Sequence, residues 1–463
     1  MADWITVEGT KSSAGKSLVT SLLVEILSEE HNVAPFKPVN FSRNSFPVEN
    51  SEIGYSTLHQ ARKAGVEPEK FMAPVLVKPM EEKTELIADS GVEETFYGKL
   101  DEKIGEKYGF IENCVEELDR RFDYVVWEGF GSLVNSNLEN NPNIDFLEKT
   151  GAEIFLVGDI SEGGIEAQLK GTHELLPEKF REKISLNIIN KASRDSENLG
   201  ETENFVEEET GTRTVSLPYI ENLNFPEEDG MPEFSGADSK GRESAQSSNL
   251  SENAAETGEI AVINYPHASN TSDLEILPEE KTSLAENPPD LENSELIILP
   301  GSKNTLKDLE WLKERNLDGK ILEKSEEAVV FGVCGGFQML GEKISGNGIE
   351  EGEKTGLGLL GMETNFSEEK TLEQVDYEFQ GESFTGYRIH YGESEISGEN
   401  LFETSSGEEG FFEDGVGGTY IHNALMNRKF LRWLLGRAGI EPEFSGKDAS
   451  ELKEILRDEV NLE

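Results

Sequence analysis

Ala328-Val-Val-Phe-Gly-Val-Cys-Gly-Gly-Phe-Gln-Met-Leu340 is the stretch on which the reading of this chain turns. Its apolar run of Val329, Val330, Phe331 and Val333 predicts a buried strand. The run stops at a lone thiol, Cys334, and two glycines follow at once. A strand that turns sharply into a helix leaves a nucleophile presented on the strained corner. The N–H groups beyond that corner can favour a thiolate and hold an oxyanion. Such a thiol needs a base. Gly417-Gly-Thr-Tyr-Ile-His422 offers one, a histidine closing a second short strand-like run. A free cysteine is more often a buried core residue, but the paired glycines, Gln338 and His422 favour a nucleophile here.

Outward from this stretch, strands and helices alternate. Trp4–Glu8, Val33–Phe36, Tyr124–Glu128, Ile154–Gly158 and Leu186–Asn190 read as strands, with helices expected over Leu18–Leu27, Glu52–Lys63 and Ile111–Arg121. That alternation implies an α/β fold with a mostly parallel sheet covered on both faces. Near Asp229 the pattern collapses into Ser, Gly, Glu and Asn, as a linker does. It resumes at Ile260–Tyr265 and runs through Leu296–Leu299 and Val329–Val333 to a helix at Arg428–Ala438. The expected organisation is therefore two doubly wound α/β domains: 1–229, a linker at 230–259, 260–445, and a charged tail at 446–463. At 463 residues the chain is too long for one core.

Two cysteines give no disulfide framework, and no apolar run approaches the ~20 residues of a membrane helix. The first residues carry no basic, apolar leader, so a soluble cytoplasmic protein is expected. The formal net charge of −51 disfavours nucleic acid and anionic membranes as partners. Acidic residues are spread through both halves, a pattern suited to a salt-rich cytoplasm. Oligomeric state is not legible.

A second chemistry sits at the N-terminus. Val7-Glu-Gly-Thr-Lys-Ser-Ser-Ala-Gly-Lys-Ser17 follows the first expected strand and opens the first helix. In that context backbone N–H groups wrap phosphates, Lys16 reaches the β/γ oxygens and Ser17 meets Mg²⁺. Five residues separate Gly9 from Gly15 where four are usual, Thr10 takes a glycine position, and Lys11 is a second lysine five residues before Lys16. Glu128, at the end of a strand, is a second candidate for Mg²⁺. Lys37 ends another strand and suits a phosphoryl group or anionic substrate. Asn190 and Lys191 end a third and could read a purine edge. ATP and Mg²⁺ are the expected cofactors.

Taken together, these runs resemble the cobyric acid synthase family of glutamine-dependent amidotransferases, over nearly the whole chain. The N-terminal half is similar to a dethiobiotin synthetase-like ATPase in Gly9–Ser17, Phe36-Lys-Pro-Val-Asn-Phe-Ser-Arg-Asn-Ser45, Glu52-Ile-Gly54, Pro74–Pro79, Glu128–Ser132 and Val157–Ile160. The C-terminal half is similar to a class I glutaminase of flavodoxin-like fold. The matching runs there are Ser269-Asn-Thr-Ser-Asp273, Leu299–Thr305, Cys334–Gly341, Gly386-Tyr-Arg-Ile-His-Tyr-Gly392 and Gly418–His422. The resemblance implies that Cys334 is the glutaminase nucleophile and His422 its base. It further implies oxyanion donors at Gly301 and Gly335, Gln338 as a glutamine-holding residue, and Lys37, Asn40 and Asn44 at the phosphoryl and acceptor site. L-glutamine and a corrinoid carboxylate would be the substrates.

Most class I glutaminases carry a glutamate two residues after the histidine; Ala424 stands there, so His422 must be oriented in another way. Departures from the family pattern cluster in the synthetase half, at Tyr55, Asn135 and Glu162. They leave open a divergent amidotransferase acting on another carboxylate. A P-loop regulatory protein with a vestigial glutaminase domain is the third reading, opposed by Lys16, Cys334 and His422 standing together.

Overall fold

Strands whose residues are apolar on both faces can only be stabilised between layers of helix, and the first sheet obeys this. Six parallel strands run in the order Arg213–Pro218, Ile184–Ala192, Glu153–Asp159, Asp3–Gly9, Tyr124–Glu128, Val33–Phe36. Val7, Val126, Leu156, Val157 and Ile188 on these strands are fully buried. The strand Asp3–Gly9 lies centrally, with Gly9 level with Val157 and Val7 level with Glu128. Its carboxyl end is thus flanked by the ends of two neighbours, the place where open parallel sheets bind ligands.

The computed structural model describes residues 1–79, 84–88, 92–96, 100–134, 142–194, 198–220, 223, 225, 259–395, 400–442 and 449–460. The expected linker, apart from Glu259, and Asn135 lie outside them. The chain divides into two compact units. The first holds Met1–Ser42, Ser51–Glu228 and Gly446–Glu463; the second holds Arg43–Asn50 and Asp229–Ser445. Two details depart from the division expected above. Eight residues of the N-terminal stretch, Arg43–Asn50, belong to the second unit, and the C-terminal stretch returns to the first.

That return has a physical cause. The helix Ser450–Glu459 buries Leu452 and Leu456, four residues apart on one face, in the cluster formed by Leu22, Leu23, Ile26 and Val126. Lys453 adds ion pairs to Glu25 at 2.8 Å and Glu29 at 2.9 Å. One expected helix is shortened. Ser51–Gly54 is a strand and the helix is Tyr55–Lys63. Glu52 is buried there against Lys78, and Gly54 admits the Asn40 amide, whose nitrogen would lie 1.6 Å from a Cβ at position 54. Neither demand is visible in helical periodicity.

The second unit is built on parallel strands in the order Thr282–Ala285, Ile260–Ile263, Leu296–Leu299, Val329–Val333, Val416–Thr419. Leu299 pairs with Gly332 and Val333 with Thr419, so Cys334, Gly301 and His422 all emerge from neighbouring strand ends. The sheet then continues with antiparallel strands that the βα reading did not anticipate. Glu363–Phe379 and Glu382–Glu395 form a long hairpin turning at Gln380 and Gly381, both with positive φ (48° and 76°). Two left-handed residues suit the right-handed twist of a two-residue hairpin turn.

Candidate functional site

In the first unit the loop from Gly9 closes onto the helix Lys16–Leu27 through Gly15, whose φ is +102°. A Cβ at Gly15 would lie 1.9 Å from the Asn190 amide nitrogen, so the position needs glycine on both counts. Asn190 donates to the Ala14 carbonyl at 3.0 Å. Asn190, expected to read a purine edge, thus braces the loop with its side-chain nitrogen. Lys191 and Lys11 both reach Asp159, at 2.9 and 3.4 Å, and Lys11 also pairs with Glu162 at 2.6 Å. Burial pushes the Asp159 carboxyl up, but Ser161 and Lys191 outweigh it and hold the group down at about 2. The acidic departure at Glu162 thus has a local partner in Lys11. Thr10 donates its hydroxyl to Gln168 at 3.1 Å.

Lys16 donates to the Gly131 carbonyl at 2.9 Å. Ser17 donates to Glu128 Oε1 at 2.8 Å, Lys37 Nζ lies 2.8 Å from the same oxygen, and Gln60 donates to Oε2 at 2.6 Å. Burial works to protonate Glu128, yet Lys37, Lys16 and the Gln60 bond hold its carboxyl below the usual range, so it is ionised. Ser17 and Glu128 therefore present a hydroxyl and a carboxylate side by side, the hard oxygen donors that suit Mg²⁺. No group of three His, Cys, Asp or Glu that could hold a metal occurs among the described residues. This donor set fits an ion held by one carboxylate and by phosphate oxygens.

Asn40 is buried against Gly54, and its Oδ1 has no hydrogen-bond partner among the described residues. Glu8 was missed in the sequence. Burial pushes its carboxyl up to about 8, Thr6 donates to it at 3.0 Å, and Lys16 and Glu128 stand near enough to shift it in opposite senses. Burial thus favours the protonated form of this carboxyl beside the loop. Only its place one residue before Gly9 could have drawn notice.

In the second unit Cys334 sits between the strand Val329–Val333 and the short helix Gly335–Met339 with φ +50° and ψ −108°. A non-glycine residue in that region costs on the order of 1–3 kcal/mol and is held there by its surroundings. Those surroundings are tight. A Cβ at Gly336 would fall 2.0 Å from the Leu299 carbonyl oxygen, and one at Gly335 would fall 2.9 Å from Ser302 N. The Cys334 thiol is directed at the Ile389 carbonyl, 3.6 Å away.

His422 is fully buried and its Nδ1 lies 3.1 Å from Asp273 Oδ2. Its Nε2 has no conventional hydrogen-bond partner among the described residues, while the ring interacts with the Cys334 side chain. Burial tends to lower the imidazole's affinity for a proton, but Asp273 and Cys334 together raise its pKa to about 9. Desolvation also pushes Asp273 up, against its bond to His422. Asp273 is thus the orienting acid that Ala424 could not be. It lies 149 residues from His422, and although the run Ser269–Asp273 was noticed, nothing in it marked Asp273 as a partner of the histidine.

Gly301 packs on the ring, where a Cβ would lie 3.1 Å from His422 Cε1 and 2.6 Å from the Ser269 oxygen. Gln338 is buried, accepting from Thr305 at 3.3 Å and donating to Tyr420 at 3.3 Å. Asn44, expected at the phosphoryl and acceptor site, belongs to the second unit, where its Oδ1 accepts from the Thr271 backbone N–H at 3.0 Å.

A strained cysteine, a histidine and an aspartate at the ends of a parallel sheet, on one chain with a phosphate-binding loop, define a glutamine amidotransferase joined to a P-loop nucleotide-binding unit. Comparison with known proteins agrees. Residues 259–430 match the CobB/CobQ-like glutamine amidotransferase domain and residues 3–227 an AAA domain. A cobyric acid synthase of Clostridium botulinum is 34% identical over 99% of this chain and 98% of its own. Probable cobyric acid synthases of Methanosarcina barkeri (35%, 99% and 97%) and Archaeoglobus fulgidus (34%, 98% and 97%) are similar throughout. A solved glutamine amidotransferase structure covers 40% of this chain and all of its own at 21% identity, with a TM-score of 0.34. The chain belongs to the cobyric acid synthase family.

Proposed function

We propose that this protein amidates the b, d, e and g side-chain carboxylates of adenosylcobyrinic acid a,c-diamide, using glutamine as nitrogen source and ATP as activator. The observation that carries the reading is the His422 ring, bonded to Asp273 through Nδ1 and interacting with the Cys334 side chain. The Cys334 sulfur attacks the glutamine amide carbon, and the protonated imidazole donates its proton to the departing nitrogen. Water then cleaves the thioester to glutamate. Gly335 and Gly301 are the candidate backbone donors for the oxyanion.

In the first unit a carboxylate, itself a poor electrophile, is activated by transfer of the γ-phosphoryl group. Lys16 and Lys37 stabilise the charge on the transferred group. Mg²⁺, held by Ser17 and Glu128, would supply further neutralisation of phosphate charge. Ammonia then displaces phosphate and leaves the amide.

The test is ATP-dependent amidation of the a,c-diamide in high salt, followed by mass spectrometry, with Cys334→Ser and Lys16→Ala alongside. Stepwise replacement of carboxyl by amide is expected with glutamine or ammonia. Cys334→Ser should keep only the ammonia route, and Lys16→Ala should lose both. Glutamine hydrolysis without any corrinoid product would show that the acceptor is another carboxylate.

A further inference from the structure

Arg43–Asn50 follows Lys37 and Asn40 in sequence, yet it is built into the second unit around the hydrolytic residues. Two contacts tie it to the turn that carries Asp273. Asn44 Oδ1 accepts from Thr271 N at 3.0 Å and from Thr271 Oγ1 at 3.4 Å, while Ser45 N donates to Asn270 Oδ1 at 2.9 Å. Asn270, with φ +53° in the left-handed region that asparagine enters more readily than most residues, opens the 3₁₀ turn Thr271–Leu274, and these bonds fix Asn270 and the first residue of the turn. Asp273 is the third residue of the turn.

A second route runs through rings. Phe46 is buried and meets Tyr387 edge-on, with centroids 5.1 Å apart. Tyr387 lies flat on His422 at 5.0 Å and 18°, and the two residues exchange backbone hydrogen bonds at 2.8 and 3.2 Å. Gln374 anchors the same segment by donating to the Pro47 carbonyl at 3.2 Å. One short segment, Arg43–Asn50, therefore supports the acid of the triad with Asn44 and the base with Phe46, which lies on its strand Ser45–Val48.

We infer that Asn44 and Phe46 are positioning residues of the glutaminase triad, so that a segment from the N-terminal part of the chain is a working part of the hydrolytic site. The inference rests on the reading of Cys334, His422 and Asp273 as that site. Loss of either support leaves Cys334 in place but lets the imidazole drift from the line between thiol and carboxylate, which slows turnover more than it weakens glutamine binding.

The experiment measures glutamine hydrolysis and ammonia-driven amidation on the full-length protein. Phe46→Ala should lower kcat for glutamine about tenfold with KM moving less than about twofold. Ammonia-driven amidation, which bypasses the triad, should stay at the parent rate. Asn44→Ala should show the same fall in kcat for glutamine, and Asn44→Asp, which keeps an acceptor oxygen for Thr271, should recover most of it. Equal loss of the glutamine and ammonia routes in Phe46→Ala would overturn the inference, as would an Asn44→Asp no better than alanine. A Cys334→Ser control that still uses glutamine would sink the underlying reading instead.

Discussion

At the scale of single residues, Cys334 and His422 were legible as candidate nucleophile and base because each lies in a local pattern: a β run ending at Cys334 with two glycines, and another ending at His422. Asp273 was not, because a partner 149 residues away is fixed by the fold alone. Asp273→Asn should cut glutamine hydrolysis by about a hundredfold or more, since an amide cannot hold the protonated imidazole as a carboxylate does. Ammonia-driven amidation reads whether the loss is confined to the triad. The same ring makes a prediction about pH. Its pKa is raised above the unfolded value to about 9, so the stability it contributes is present in full below pH 6.5 and is lost as pH rises towards 9. Denaturant midpoints of the parent should therefore fall across pH 6.5–9 relative to those of His422→Gln, and parallel curves would count against a charged His422. Gly301→Ala places a methyl against the Ser269 oxygen and the ring. It should cost about 1–3 kcal/mol and most glutamine use, read by unfolding and by glutamate release.

At the scale of elements, the sequence disclosed most where one rule governs a whole segment. The buried strands Asp3–Gly9 and Val329–Val333 read directly, as did the helix Arg428–Arg437, because apolar content or spacing decides them without reference to distant residues. Residues Glu52–Gly54 of the strand Ser51–Gly54 were read as helix because the buried Glu52 answers to Lys78, a demand that periodicity cannot express. The hairpin of Glu363–Phe379 and Glu382–Glu395 did alternate, with Val375, Tyr377 and Phe379 inward, but it broke the expected βα rhythm. The stretch 446–463 read as a charged tail, and nothing local in it assigned its helix Ser450–Glu459 to the first unit. Leu456→Ala empties a fully buried position and should cost about 2–5 kcal/mol. The fall should appear in the unfolding of the P-loop unit and in ATP-dependent turnover, with glutamine hydrolysis unchanged. An unaltered unfolding profile would mean that the helix is dispensable.

At the scale of the whole molecule, charge dominates. There are 93 acidic side chains against 42 basic ones, so even complete pairing would leave 51 acids without a basic partner. Pairs such as Lys320 with Glu292 and Glu323, or Lys429 with Glu382, stand at the surface, where an ion pair contributes little. The remaining carboxylates repel one another over distances comparable to the screening length, about 10 Å at 0.1 M salt. Unfolding lets them move apart, so the compact state carries the penalty. Raising the salt to about 1 M shortens that length to about 3 Å and removes most of the repulsion. The protein should therefore gain stability steadily between 0.1 and 1 M KCl, with a Tm rise of several degrees, about 2–4 °C for each kcal/mol recovered in a unit of this size. Sodium chloride should act equally, because screening depends on ionic strength. Sucrose at matched osmolality separates screening from general exclusion, since it stabilises without shielding charge. A Tm that is flat in salt, or that rises no more in KCl than in sucrose, would mean that the acidic surface is tolerated without salt and that its repulsion is too diffuse to matter.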